Sequence, residues 1–210
     1  MLIFLGLLSG ALSTAAYIPY IRDTYLGHTS PEPASWLIWS VLGSIAFLGQ
    51  VFERESVSLW LGGVQIVGTI IVFALSIWLG HGVCICRKNC KILACAVLGL
   101  VLWYVADTAA FALAIIIAIN LLGGWVTAVK AYKDPQSETL CTWLMSAVAS
   151  ACAIVSVGGL EPIILAYPVY LFVLNIAIAS AIMLGWYRAT KHHYAHVNRS
   201  AFVHFTKPAL

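Results

Sequence analysis

Seven apolar stretches, at residues 2–21, 34–52, 57–79, 92–106, 109–129, 140–157 and 162–187, occupy most of this chain. A helix needs about 20 apolar residues to cross roughly 30 Å of hydrocarbon, and most of these stretches meet or approach that length. Only 9% of the 210 residues are charged while 62% are apolar, against about 25% charged in soluble domains. Such a chain has too little polar surface to cover a globule in water. With no water to satisfy backbone N–H and C=O groups inside a bilayer, each stretch must close its own hydrogen bonds as a helix. The expectation is an all-α membrane protein with seven transmembrane helices.

The run from Ile92 to Val129 is apolar apart from Asp107 and Thr108. As a single helix its 38 residues would measure about 57 Å at about 1.5 Å per residue, nearly twice the membrane core. It must therefore fold back, and Asp107 marks the turn. Helix 4 is then short.

Threading the chain with its N-terminus outside brings Arg22, Arg87, Lys88, Lys91, Lys130, Lys133, Arg188, Lys191, Arg199 and Lys207 to one side and leaves Arg54 alone on the other. Loops rich in Lys and Arg stay cytoplasmic, so the C-terminus is expected inside. Glu53, Glu55, Asp107 and Glu161 make the outer loops acidic. The net charge of +3 thus reflects membrane anchors and contacts with anionic lipid rather than nucleic acid. The N-terminal run lacks the basic region of a secretory signal and is read as a retained helix. The expected setting is multi-pass in a bacterial inner (plasma) membrane, with the bilayer and a small-molecule solute as partners and a homo-oligomer as an open option.

Sliding the chain by 107 residues lays residues 25–46 over residues 132–153. Six of the 22 positions coincide: Tyr25 with Tyr132, Ser30 with Ser137, Trp36 with Trp143, Leu37 with Leu144, Val41 with Val148 and Ala46 with Ala153. The same shift superimposes helix 1 on helix 5, and a shift near 106 lays helix 7 on helix 3. The chain therefore divides into a three-helix repeat at 1–80, a cytoplasmic loop and linker helix at 81–108, a second three-helix repeat at 109–187 and a cytoplasmic tail at 188–210. An odd linker gives both triplets the same orientation, as two parallel repeats about an axis along the membrane normal. A pair of this kind encloses a site between its halves.

With Pro19-Tyr20 near the inner end of helix 1 and HTSPEPASW at residues 28–36, the arrangement resembles the PQ-loop superfamily, which includes SWEET sugar transporters, cystinosin-like carriers and, more distantly, KDEL receptors. In that family a Pro-Gln pair ends the first helix; here Tyr20 stands at the Gln, and Val126-Thr127 occupies the equivalent place in the second half. The literal Pro135-Gln136 falls some nine residues too late to be the motif. SWEET-type carriers bind substrate with an asparagine on the third and seventh helices near aromatic residues on the second and sixth. The resemblance implies that Asn175 keeps that role, that Gln65 or Thr69 stands in for the other asparagine, and that Trp39 supplies an aromatic contact.

Polar groups inside hydrocarbon are costly and usually face the bundle interior. The repeat pairs Ser13 with Asn120, and Thr69 with Asn175, all near mid-membrane by residue count. Either these residues bind solute, or the asparagines bond neighbouring helices. Ser40 and Ser44, like Ser146 and Ser150, recur at i, i+4 on helices 2 and 6, where they line the route or let backbones approach. Trp36, Trp39 and Trp143 are expected mostly in the interfacial aromatic belt, with Trp36 and Trp143 as the alternative rims of an inner mouth. Pro19, Pro168 and the Gly62-Gly63 pair are soft points that suit rocking of the two halves, or static kinks.

Cys84, Cys86 and Cys90 with His81 follow no standard zinc spacing, and His192, His193, His196 and His204 are read as part of a solvated, mobile tail. No nucleophile elbow, HExxH, Walker A or dinucleotide fingerprint occurs, so neither an enzyme nor a cofactor is expected. The functional expectation is a facilitative carrier of a small neutral or zwitterionic polar solute, such as a sugar or amino-acid-like metabolite. The alternative is a receptor or accessory protein of the same fold without transport.

Overall fold

A computed structural model describes the backbone of residues 1–52, 56–79, 87–105 and 108–205. Among the described residues the chain is helical, with no strand. The helices are α1 (Leu2–Ala15), α2 (Tyr17–Tyr25), α3 (Pro33–Phe52), α4 (Ser56–Trp78), α5 (Arg87–Tyr104), α6 (Ala109–Lys133), α7 (Leu140–Ser156) and α8 (Pro162–Phe205), with one 3-10 turn at Pro135–Ser137. Three stretches are long and apolar enough to cross a bilayer: Leu2–Tyr25, Leu113–Lys133 and Ile164–Lys191. Pro33–Ile45, Ile66–Trp78, Leu93–Tyr104 and Leu140–Ser156 are shorter apolar helices. Large apolar side chains cover the outside, among them Ile3, Trp78, Trp125 and Leu160, each at least 71% exposed. Apolar surface on this scale belongs in lipid. The chain is a membrane protein.

Pro19 acts one turn ahead of itself. Its ring clashes with the carbonyl four residues back and removes one helical N–H, and the first long helix breaks at Ala16, which separates α1 from α2. Pro168, by contrast, lies within an unbroken α8. That helix continues through Phe205, so the stretch from residue 188 to residue 205, expected as a tail, is helical. The Gly62-Gly63 pair is likewise inside the continuous α4. Thr108 caps α6, its hydroxyl accepting from the Phe111 N–H at 3.3 Å, and α6 packs against α5 as the fold-back of residues 92–129 requires. Asp107 itself lies outside the described residues, as do Glu53, Arg54, Glu55, His81, Cys84 and Cys86.

Packing follows a definite order. α1 lies on α4 and α4 on α3, while α6 lies on α8 and α8 on α7. The two sets meet where α1 contacts α7 and where α3 contacts α6; α5 covers α6 and α3. Gly68 makes the α4 contact with Tyr17 possible, because a Cβ there would stand 2.8 Å from the tyrosine ring. The largest core cluster gathers Tyr20, Trp36, Val72, Trp143, Tyr170 and Ile178 from five different helices.

Candidate functional site

One cavity of about 660 Å³ lies between the helices, lined from α1, α2, α3, α4, α5, α6, α7 and α8. Ser13, Trp39, Thr69, Asn120, Ser146 and Asn175 all line it. Of the expected site residues, Gln65 alone has a side chain outside the described set. Ser150 joins them on the wall, whereas Ser40 and Ser44 do not. Thr142 also lines the cavity, and nothing in the sequence reading had singled it out.

The two asparagines are held alike. Asn120 Nδ2 donates to the Ile116 carbonyl at 2.9 Å, and Asn175 Nδ2 donates to the Leu171 carbonyl at 2.8 Å. Each is thereby tied to its own helix four residues back rather than to a neighbouring helix. One N–H and the amide oxygen of each are left over for other partners. Both side chains are buried in a mostly apolar wall, where an amide without a partner is costly.

Trp36 and Trp143 do not belong to an interfacial belt: they are 4% and 5% exposed and form the floor of the cavity. Trp39 bridges them, with ring centroids 5.1 Å from Trp36 and 6.1 Å from Trp143, both edge-on. Belt position and cavity floor lie at similar depth along a helix, so residue type alone does not separate them. The shared packing of Trp36 and Trp143 against Tyr20 of α2 does, with ring centroids 4.9 Å and 6.2 Å away.

Beneath this floor lies a buried polar network that sequence reasoning missed. Glu138, whose side chain is fully buried, pairs with Lys130 at 2.7 Å. Its other carboxylate oxygen accepts from the Tyr20 hydroxyl at 2.9 Å and from Trp143 Nε1 at 3.1 Å. Trp36 Nε1 in turn donates to the Tyr20 hydroxyl at 3.3 Å, and the Lys130 ammonium also donates to the Ser30 carbonyl. A buried carboxylate is tolerable only when its charge is paired and its lone pairs are occupied. Tyr20 supplies one of those partners.

Nearby, Thr139 Oγ1 donates to Asp23 at 3.0 Å, so its 2.6 Å contact with Thr29 must have the Thr29 hydroxyl as donor. The turn that delivers Thr29 depends on Gly27, whose φ of +75° ends α2 while His28 N–H and Gly27 N–H bond back to the carbonyls of Asp23 and Thr24. That pairing is the Schellman cap, which calls for a left-handed residue. Ser30 N–H then donates to the Ser137 carbonyl at 3.0 Å.

Two further bonds are partners in the 107-residue register. Ser35 Oγ donates to the Gly123 carbonyl at 2.8 Å, and Thr142 Oγ1 donates to the Ala16 carbonyl at 3.0 Å. Ser35 corresponds to Thr142 and Ala16 to Gly123. Each bond joins the start of α3 or α7 to α6 or to the break between α1 and α2, at the same end of the molecule.

Basic residues collect at this end too: Arg188 donates to the Lys133 carbonyl at 3.3 Å and lies 4.6 Å from the centroid of the Tyr132 ring. Comparison with family models, with curated proteins and with solved structures finds no match for this chain.

Proposed function

We propose that the chain is a facilitative, alternating-access carrier for a small neutral or zwitterionic polar solute, built on the PQ-loop plan as two parallel three-helix repeats with α5 as linker. The observation that carries the reading is a cavity lined by register-related residues, Ser13 with Asn120 and Thr69 with Asn175, above a seal made by contacts between the two halves. Exchange of α1 with α6, α3 with α7 and α4 with α8 leaves the order of helix contacts unchanged, and it maps the Ser35–Gly123 bond onto the Thr142–Ala16 bond. Such twofold agreement is what rocking of one triplet against the other would use.

In this reading the described conformation is closed at the Ser30–Ser137 end, where Tyr20 and Ser30 of the first half hold Glu138 and Lys130 of the second. Transport requires those bonds to part and the opposite end to close. The basic residues around the seal favour a cytoplasmic location for it, with the N-terminus outside. A peptide-binding receptor of the same fold would hold free charge in the cavity. Lys130 and Glu138 instead neutralise one another below the floor, which favours a carrier of an uncharged or internally balanced solute.

Counterflow uptake into proteoliposomes tests the proposal. A solute panel should include one member whose entry is accelerated by the same unlabelled solute preloaded inside. Absence of counterflow for every member, from protein that binds one of them, would exclude transport.

A further inference from the structure

Resting on the carrier reading, we propose a substrate class: a neutral, planar nitrogen heterocycle bearing N–H donors, stacked on Trp39 and read by Asn120 and Asn175.

The argument is a donor and acceptor inventory. Among the described residues, no Asp, Glu, Lys, Arg or His lines the cavity, so a fully charged solute would be buried without a counter-ion. Thr69, Thr142 and Ser150 spend their only protons on the carbonyls of Ile66, Ala16 and Ser146. What those hydroxyls can offer a solute is lone pairs. Asn120 and Asn175 each spend one N–H on their own helix, which leaves an oxygen and a single N–H side by side. Ser13 and Ser146 keep their hydroxyl protons, and Tyr17, Trp39, Trp103 and Tyr167 bring further O–H and N–H groups to the wall, so it offers donors and acceptors together and matches a solute whose rim carries both.

The rest of the wall is apolar and strongly aromatic. Tyr17, Trp36, Trp39, Trp103, Trp143 and Tyr167 all line it. A polyol would bring hydroxyls on every face and leave several without partners, each costly to desolvate. A flat ring instead exposes apolar faces to aromatic walls and confines its polar atoms to the rim, where an amide meets them with a paired donor and acceptor.

Trp39 is the ring built for stacking. Trp36 and Trp143 brace it edge-on from the floor, and its Nε1 lies against α6 at Gly123, where a Cβ would approach to 3.1 Å. The indole is fixed on those sides and half-buried, with its remaining surface on the cavity. Offset stacking of aromatic rings adds attraction beyond area burial.

The test uses the full chain in lipid nanodiscs, with adenine and uracil as probes beside glucose and tetramethylammonium, read by calorimetry and indole fluorescence. Adenine or uracil should bind saturably. Trp39→Ala and Asn175→Ala should each weaken that binding at least tenfold, Trp39→Phe less, and the outward-facing Tyr104→Ala, 85% exposed, not at all. Size-exclusion profiles identify any variant that fails to fold, and Trp39→Phe keeps the stacking claim testable if Trp39→Ala does.

Saturable binding of glucose or tetramethylammonium with none of the heterocycles would overturn the class, as would heterocycle binding indifferent to Trp39 and Asn175. Counterflow separates the two levels of the proposal. Heterocycle binding without counterflow retains the class and removes the carrier, while counterflow of glucose alone retains the carrier and removes the class.

Discussion

Ser30 donates its backbone N–H to the carbonyl oxygen of Ser137 at 3.0 Å, and the two serines are an identical pair in the 107-residue register. In the proposed two-repeat arrangement, a residue bonded to its own equivalent would lie close to the axis relating the halves. Around that contact lie Lys130, Glu138, Tyr20 and Thr139, the network that the proposed carrier would use as its seal.

The seal is strongly coupled. Glu138→Gln should leave Lys130 without its counter-charge, and Lys130→Met should strand the carboxylate; each is expected to lower stability by about 1–3 kcal/mol, less than a fully buried pair because Lys130 is partly exposed. The double variant should recover part of the loss. A double-mutant cycle from thermal unfolding in detergent reads the coupling, and purely additive effects would mean that the pair contributes nothing.

Ser35→Ala and Thr142→Val remove register-related hydrogen bonds of nearly equal length. Thr142→Val should destabilise by about 0.5–1.5 kcal/mol, the net value of an ordinary hydrogen bond, and Ser35→Ala by more, because the Ser35 hydroxyl also accepts from Thr127 Oγ1 at 3.0 Å. Shifts in melting temperature in that order, brought together when Thr127→Val is the background, check the equivalence. A large effect from one and none from the other would show that the two halves use these bonds differently.

Gly68 is the tight point of α4. Gly68→Ala should cost about 1–3 kcal/mol by overpacking against Tyr17, whose ring a new Cβ would meet at 2.8 Å. Gly159→Ala, with nothing within 4 Å of the added carbon, is the matched control and should be near neutral. Gly68→Ala paired with Tyr17→Leu should recover stability if the ring is the obstacle.

Asn120→Ala and Asn175→Ala should leave the fold intact, since a polar bond between membrane helices averages about 0.6 kcal/mol and these amides bond only their own helix turn. Solute binding should be lost in both. Retained binding with either variant would remove that asparagine from the site.

The extent to which this architecture was legible in sequence follows from what each residue type can do in hydrocarbon. Ser13, Thr69, Asn120, Ser146 and Asn175 converge on one cavity because a polar atom on an apolar helix has few other places to go. Helix positions were readable for the same reason: the apolar stretches had to be helical.

Glu138 and Lys130 were not readable, because charged residues at a loop ordinarily face water, and only the approach of α2 to the start of α7 buries them. Trp36 and Trp143 resembled belt residues for want of any local signal separating a floor from an interface. The adjacent Gly62-Gly63 drew notice as a pair, yet the glycine whose missing Cβ admits Tyr17 is the solitary Gly68. The interruption between α1 and α2 falls at Ala16, one turn before Pro19, since proline acts on the carbonyl four residues before it.

The central claim, that the two halves rock so that the Ser30–Ser137 end opens as the opposite end closes, is tested most directly by paired spin labels at register-equivalent exposed positions. On a cysteine-free background in nanodiscs, one pair goes at Tyr25 and Tyr132, 65% and 40% exposed, and the other at Phe4 and Phe111, 66% and 54% exposed. Glu138→Gln should loosen the seal, so the 25–132 distance distribution should gain a longer component while the 4–111 distribution gains a shorter one. Distances at both ends that stay fixed with Glu138→Gln and with every solute that binds would contradict the rocking carrier.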